Sequence, residues 1–198
     1  RECTLAETSL EDIYAKMDHA LSIMRESASS PIQEPKKSIG GLIGGEARLA
    51  DLHRARGAAI CGSVLSRAIT YSMAVLETSA SMGLIVAAPT AGASGVLPGV
   101  LLALKQHYNL NERQMAEALV VAGNIGMVIA SRASLSGAMG GCQAECGSGA
   151  AMAAGAAVDV LGGTPEQVGH AVAIVFKNML GLVCDPVAGL VEVPCIKR

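Results

Sequence analysis

Aromatic residues are nearly absent from this chain. Its 198 residues include no Trp, one Phe and three Tyr. Strands favour aromatic and β-branched side chains, so this composition argues against a β-sandwich. The chain contains instead 33 Ala and 23 Gly, while half of its residues (51%) are hydrophobic. Small side chains let helix backbones approach closely, and the apolar content excludes disorder. The composition therefore predicts a compact, mostly helical protein.

The chain also lacks an excess of charge of either sign. Fifteen Lys and Arg oppose seventeen Asp and Glu, which gives a net charge of −2. Proteins that bind nucleic acid or anionic lipid carry a basic patch or a basic excess. We therefore expect no nucleic-acid partner and no binding to a membrane surface.

No apolar run of membrane-spanning length is uninterrupted. Residues 79–104 are nearly uncharged, and a span needs about 20 apolar residues. Two prolines and three glycines interrupt this run: Pro89, Gly92, Gly95, Pro98 and Gly99. The pattern predicts two buried helices joined by a loop, with a membrane span as the alternative. The chain opens with Arg1-Glu2-Cys3 rather than an apolar leader, which favours a cytoplasmic location with reduced thiols.

The cysteines lack the spacing of familiar metal motifs. The six are Cys3, Cys61, Cys142, Cys146, Cys184 and Cys195. Zinc ribbons use closely spaced pairs and ferredoxins a dense run, and neither pattern occurs here. The spacing permits a cluster assembled from distant loops but does not demand one. A buried cysteine that acts as a small apolar residue is the alternative at each position.

Local signals divide the chain into helices. Ser9 with Asp12 predicts a capped helix over residues 10–26, followed by a linker over 27–45. We expect an N-terminal helix and linker over 1–38 and a catalytic body over 39–198. Further helices are predicted over 57–88, 96–107, 112–130, 148–161 and 165–180.

Three glycine-rich loops interrupt the predicted helices. They cover residues 89–95, 137–149 and 181–195. Loops with little side chain let a ligand approach backbone N–H groups, so these segments are the candidate binding regions.

The same segments carry a resemblance to a known family. Residues 89–99 read PTAGASGVLPG, residues 134–147 read SLSGAMGGCQAECG, and residues 178–198 read NMLGLVCDPVAGLVEVPCIKR. The chain closely resembles the catalytic α domain of the iron–sulfur-dependent L-serine dehydratases, and the likeness is strongest from about residue 39 onward. The family's domain continues past the VPCIKR string, so the resemblance implies a C-terminal truncation.

The resemblance implies an all-α, compact helical catalytic domain that holds a 4Fe-4S cluster on three cysteines. The family's cluster motifs fall on Cys142, Cys184 and Cys195. Cys146 lies where relatives often carry an apolar residue, so it is not included. Cys3 and Cys61 match no cluster motif and are interpreted as structural.

Three ligands for four irons leave one iron open. The family's reaction, as the resemblance implies it, uses that iron as a Lewis acid on the hydroxyl of L-serine. The products are pyruvate and ammonia, and pyridoxal phosphate is not required.

The resemblance, together with the glycine content of the loop, makes residues 90–95 the candidate site for the substrate carboxylate. Its members are Thr90, Ala91, Gly92, Ala93, Ser94 and Gly95. Gly92 and Gly95 permit positive φ, so consecutive N–H groups are able to form an anion nest. A tight turn between two helices is the alternative.

The base that removes the α-proton has several candidates. Lys177 precedes the Cys184 loop, and a desolvated lysine has a lowered pKa. Ser94 and Ser136 are two others, and a histidine of the family's β domain is a fourth. A surface lysine is the alternative interpretation of Lys177.

Three functions therefore compete at this point. The first is an iron–sulfur L-serine ammonia-lyase that works with a β domain or β subunit, as a homo- or hetero-oligomer. The second is a non-catalytic helical subunit or interaction module of a larger enzyme. The third is a pyridoxal-phosphate dehydratase, which needs a Schiff-base lysine.

Overall fold

A computed structural model describes residues 2–5, 7–57, 59–190 and 192–197. Within these ranges every regular element is a helix, and the only β pairing is an isolated bridge between Val187 and Leu190. The predicted all-α class is confirmed. The helices are α1 Glu2–Leu5, α2 Leu10–Gln33, α3 Glu46–Ala55, α4 Gly62–Ala80, α5 Val96–Tyr108, α6 Glu112–Arg132, α7 Gly137–Gly140, α8 Cys142–Val160, α9 Pro165–Met179 and α10 Glu192–Lys197.

Three long helices begin with reciprocal capping boxes. In each, the cap side chain accepts from a backbone N–H while its partner side chain accepts from the cap N–H. The pairs are Ser9 with Asp12, Asn111 with Gln114, and Thr164 with Gln167. All three helix starts were predicted, because this signal is local in the sequence.

Helix α2 is longer than its sequence predicts. It runs through Pro31 to Gln33, whereas the prediction ended it at residue 26. A proline inside a helix leaves the carbonyl four residues earlier without its N–H donor. Here that carbonyl belongs to Ser27, and the Thr78 hydroxyl of α4 donates to it at 2.8 Å. Tertiary contact therefore keeps the Ser-rich segment helical.

Helix α8 starts six residues earlier than predicted. It begins at Cys142, and Ser148, where the predicted helix begins, is a buried residue inside it. The Ser148 hydroxyl donates to the Ala144 carbonyl one turn earlier. The predicted loop over 137–149 is thus largely helical, and Cys142 and Cys146 lie one turn apart on α8.

The predicted C-terminal loop is also shorter than expected. Residues 181–190 are irregular, but Cys195 lies on the short helix α10. This helix is fixed at two points. The Glu192 carboxylate accepts from the Ser38 hydroxyl at 2.6 Å and from the Gly40 N–H at 2.8 Å. Ile196 packs in a small core with Ile43 and Leu76.

The apolar run over 79–104 is divided between two helices. Helix α4 ends at Ala80 and α5 begins at Val96, with an irregular segment between them. Among the described residues, α6 is the one helix whose length and composition would suit a membrane span, and 39% of its most apolar window is buried. Core helices share this property, and α6 contributes Met115 and Ala122 to the main core.

The main core joins α2, α5, α6 and α8. Its fully buried members include Leu101, Met115 and Ala156. Helix α2 adds Leu21 and Met24, which are 1% and 3% exposed. The division of the chain at residue 38 stays a prediction, although α2 shares this core with the predicted body.

Candidate active site at the start of helix α8

The three glycine-rich segments meet at the first turn of α8. The loop over 89–95, the segment over 134–141 and the segment over 181–184 all contact this turn. Glycine is required where these segments approach one another most closely, and the contacts there surround Cys142 and Glu145 of α8.

Gly141 sets the junction between α8 and the 181–184 segment. Its φ is +72° and its ψ is −172°, a conformation that is essentially restricted to glycine. A Cβ at this position would lie 2.9 Å from the Leu182 carbonyl oxygen and 3.2 Å from Val183 Cα. The two backbones can therefore lie this close only because residue 141 has no side chain.

Two hydrogen bonds hold the same segment on α8. The Gln143 N–H donates to the Leu182 carbonyl at 2.8 Å, and the Gly181 N–H donates to Gln143 Oε1 at 3.0 Å. Sequence reasoning missed Gln143. Its backbone N–H and its side chain both bond to the 181–184 segment. Gln143 therefore fixes the loop of Cys184 on the helix that begins with Cys142.

Two predicted ligands lie on segments in direct contact. Cys142 is the first residue of α8 and is only 3% exposed. A Cβ at the adjacent Gly141 would lie 3.5 Å from the backbone nitrogen of Cys184. The side chain of Cys184 is exposed.

Cys195 approaches from α10. Burial raises the pKa of the Cys146 thiol to about 12, and the charges of Cys142 and Cys195 add to this increase. An effect of Cys195 on the pKa of Cys146 is consistent with a place for α10 on the same side of the molecule as the start of α8. The structure thus brings the segments of Cys142 and Cys184 into contact, while Cys195 lies on α10, which packs on α4 and the segment after α2.

These thiols suit an iron–sulfur cluster by type and by neighbourhood. Iron–sulfur clusters bind cysteine thiolates. Within the described residues, no three His, Cys, Asp or Glu side chains are arranged around one metal ion. A four-iron cluster binds each cysteine through a different iron, so its thiols need not converge on one point. The ligand set of Cys142, Cys184 and Cys195 stays a prediction.

Glu145 occupies the centre of this region, and sequence reasoning missed it. The Thr90 hydroxyl donates to Glu145 Oε1 at 2.5 Å. A Cβ at Gly92 would lie 2.7 Å from the same oxygen, and one at Gly137 would overlap Oε2. Two glycines therefore leave space for one carboxylate. The available signal was that Glu145 is the only charged residue in the 89–99 and 134–147 strings.

The loop over 89–95 differs from the predicted anion nest. Gly92 and Gly95 are absent from the residues with positive φ. Gly92 is instead required by the Glu145 carboxylate, and Gly95 by the Ser72 carbonyl of α4, which a Cβ would overlap. The premise of left-handed glycines is therefore wrong, and close approach explains the glycines instead.

Internal hydrogen bonds shape this loop. The Ala93 N–H donates to the Thr90 hydroxyl at 3.3 Å, and the Ser94 N–H donates to the Ala91 carbonyl at 3.2 Å. Among the described residues, no acceptor is bonded to the N–H groups of Ala91 and Gly92. These two amides remain for a ligand. The loop rests on α8, where a Cβ at Gly149 would lie 2.9 Å from Ala93 Cβ.

The three candidate bases lie in different surroundings. Ser94 is fully buried, and its hydroxyl donates to the Ala91 carbonyl at 2.7 Å. Ser136 is half-buried before α7, within the segment that contacts Glu145. Lys177 is exposed in the last turn of α9, and no described hydrogen bond or ion pair joins it to this region. Their catalytic roles stay predictions.

Cys3 and Cys61 lie outside this region. Cys61 is exposed before α4, where its sulfur is 3.4 Å from the Ser66 hydroxyl. Cys3 is half-buried on α1.

Comparison with known proteins identifies the family. The sequence profile described as "Serine dehydratase alpha chain" matches residues 1–198. The chain belongs to the serine dehydratase alpha chain family. The resemblance drawn from the three glycine-rich strings is thereby confirmed.

Relatives named as L-serine dehydratases align along all or most of the chain. A probable L-serine dehydratase, alpha chain, of Bacillus subtilis is 50% identical over 198 residues, which is 100% of this chain and 66% of that protein. An L-serine dehydratase, alpha chain, of Peptoniphilus asaccharolyticus is 42% identical over 193 residues, which is 98% of this chain and 66% of that protein. An L-serine dehydratase of Streptomyces coelicolor is 50% identical over 134 residues, which is 65% of this chain and 28% of that protein. The chain thus spans 66% of the length of the first two relatives.

Proposed function

We propose that this chain supplies the cluster-binding part of an L-serine ammonia-lyase, which converts L-serine into pyruvate and ammonia. The observation that carries the proposal is the meeting of loop 89–95, Glu145 and Cys142 at the start of α8. Membership of the serine dehydratase alpha chain family supports the same reaction.

Cys142, Cys184 and Cys195 would hold a 4Fe-4S cluster. When bound, the cluster supplies a Lewis acid that assists the departure of hydroxide from serine. The chain's own contribution is to bring the ligands together. Gly141 and Gln143 fix the Cys184 segment on α8, while Glu192 fixes the helix that carries Cys195.

Loop 89–95 would orient the substrate by its carboxylate. The N–H groups of Ala91 and Gly92 lack acceptors among the described residues, and they lie beside the Thr90 hydroxyl. Backbone amides of a turn favour anions. The loop packs closely on the buried helix α8 at Gly149, and this contact would hold the bound carboxylate at a constant position.

Removal of the α-proton needs a base near this loop. Ser136 is the best placed of the candidates on this chain, because it belongs to the segment that contacts Glu145. Ser94 is engaged with Ala91, and Lys177 is exposed. A histidine from the β domain or β subunit is the fourth candidate, and we propose that domain as a partner.

A groove of about 750 Å³ between α6 and α9 favours a second candidate function. Its lining is mainly apolar and includes Ile125, Val128 and Val172. Of these, Val128 is 58% exposed. Such a surface is typical of a contact with another protein domain, so the second candidate is a non-catalytic helical module of a larger enzyme. As part of either function, we propose an oligomer in the cytoplasm that binds neither nucleic acid nor membrane.

One measurement separates the two candidates. Iron and acid-labile sulfide are determined per chain on protein purified and reconstituted without oxygen. The enzyme is expected to hold about four of each and, with its β partner, to release pyruvate from L-serine. Cys184→Ala is expected to lose iron, whereas the exposed control Cys61→Ala keeps it.

Three results would contradict the proposal in whole or in part. Normal folding with neither iron nor pyruvate release, in the presence of the β partner, favours the non-catalytic module. A visible aldimine band that borohydride abolishes favours the pyridoxal-phosphate dehydratase. An iron-replete, active Cys184→Ala protein would overturn the ligand assignment.

A further inference from the structure

Glu145 is a half-buried carboxylate with no cationic partner among the described residues. It lies between loop 89–95 and Gly137, on the first turns of α8. Within the described part of the chain, the ion pairs of Lys, Arg and His involve other carboxylates, and none includes Glu145. A charge removed from water is costly unless hydrogen bonds or an opposite charge compensate it.

The two oxygens of this carboxylate have different surroundings. Oε1 accepts the hydrogen bond from Thr90. Oε2 faces Gly137, and no described donor is bonded to it. Thr90 therefore fixes the orientation of the carboxylate while one oxygen keeps its capacity to accept. A ligand that brings its own N–H donors and a positive charge would complete the site.

The neighbouring loop narrows the chemistry of that ligand. The N–H groups of Ala91 and Gly92 offer donors to an anion, directly beside the Glu145 carboxylate. An α-amino acid carries a carboxylate and an ammonium on one carbon. The backbone N–H groups of the loop would bind the substrate carboxylate, and the Glu145 carboxylate beside them would accept from the ammonium.

We propose that the Glu145 carboxylate binds the α-ammonium group of the amino-acid substrate, with Thr90 as the residue that positions it. The inference rests on the proposed function, because it assigns the substrate amine to a residue of the same site. It makes Glu145 the residue that distinguishes an amino acid from the corresponding hydroxy acid.

Gly92 and Gly137, on either side of the Glu145 carboxylate, are explained by the same role of Glu145. A Cβ at Gly92 or Gly137 would meet the carboxylate itself. Either substitution would displace Glu145 from the loop. The glycines therefore serve the position of one charged group, which explains their place in a part of the chain where φ does not require them.

The test compares two ligands that differ only in the group at issue. L-Alanine and L-lactate share a carboxylate and a methyl group, and only L-alanine carries an ammonium. Their dissociation constants are measured by calorimetry on the cluster-loaded protein assembled with its β partner. The wild type is expected to prefer L-alanine, and Glu145→Gln to lose about tenfold to a hundredfold of that preference, with a similar rise in KM for L-serine.

Two further variants keep the test decisive. Glu145→Asp retains the charge and is expected to keep the preference for L-alanine with weaker binding. Glu166→Gln replaces an exposed glutamate in the first turn of α9, and it is expected to match the wild type in every measurement. Thr90→Val is expected to show a smaller loss of preference than Glu145→Gln.

The outcomes distinguish this inference from the proposed function. A wild type that releases no pyruvate refutes the function, whatever the variants do. An active wild type whose preference for L-alanine survives in Glu145→Gln overturns the inference. Equal weakening of L-alanine and L-lactate also overturns it, because that result assigns Glu145 a purely structural role. If Glu145→Gln does not fold, the other two variants decide. A preference for L-alanine that Glu145→Asp keeps and Thr90→Val reduces supports the inference, whereas a preference that Thr90→Val leaves unchanged overturns it.

Discussion

Replacing Gly141 with alanine tests whether the start of α8 and the Cys184 segment form one unit. The substitution adds a Cβ where φ is +72° and ψ is −172°. Such a backbone conformation costs a non-glycine residue on the order of 1–3 kcal/mol. The same Cβ would lie 2.9 Å from the Leu182 carbonyl oxygen and 3.2 Å from Val183 Cα. Overpacking of this kind costs about 1–3 kcal/mol more.

The two effects add to about 2–6 kcal/mol of lost unfolding free energy. The matched control is Gly162→Ala, because Gly162 has a φ of +88° and nothing within 4 Å of its Cβ position. Gly162→Ala is expected to lose only the conformational part, about 1–2 kcal/mol. Urea unfolding of both variants, followed by circular dichroism, measures the difference.

The second measurement is iron content after anaerobic reconstitution. Gly141→Ala is expected to displace the 181–184 segment from α8 and to lose iron, whereas Gly162→Ala keeps it. If the two variants lose equal stability and equal iron, the contact with Leu182 has no energetic role and the reasoning is refuted.

Three other substitutions test packing and charge, each by urea unfolding. Thr78→Val leaves the Ser27 carbonyl without its donor and should cost about 1–3 kcal/mol; an unchanged midpoint would contradict the tertiary account of α2. Leu101→Ala opens a cavity at a fully buried position and should cost about 2–5 kcal/mol, and a loss below that range would show that the core collapses around it. Burial raises the pKa of Glu77 above its ordinary value of 4.5, so the stability that its protonation contributes is present below that pH and is lost as the pH rises through the raised pKa. The stability of the wild type relative to Glu77→Gln should therefore fall as the pH rises from about 4.5, and a rise would refute this sign.

Local signals in the sequence predicted the starts of α2, α6 and α9. Each capping box lies within four residues, so no tertiary information is needed to recognise it. The end of α2 was wrong because Thr78, distant in the sequence, compensates for Pro31. The start of α8 was wrong because Gly141 and the Leu182 carbonyl set it together. Element boundaries that depend on another segment could not be predicted from local patterns.

For the candidate site, too, local patterns could be recognised in the sequence, whereas contacts between distant segments could not. The glycine-rich strings predicted which segments matter, and the structure brings them together at the start of α8. Their spacing could not reveal that Glu145 is the group between Gly92 and Gly137, because that contact joins residues 53 and 8 positions from it in the chain. The prediction that Gly92 adopts a positive φ was wrong. Gly92 is required because the Glu145 carboxylate leaves no space for a Cβ.

The bond between Ser38 and Glu192 has a consequence for the order of folding. It joins residues 154 positions apart and places α10, with Cys195, against the segment that follows α2. Closing so long a loop is slow, because the entropy of the intervening chain is lost before the contact is gained. We therefore expect Cys195 to join the other thiols late in folding, after the helices with shorter-range contacts have packed. Assembly of the cluster would then report on completion of the fold. A chain lacking residues 1–40 would lose both hydrogen bonds of Glu192 and would hold α10 only through Ile196 against Ile43 and Leu76.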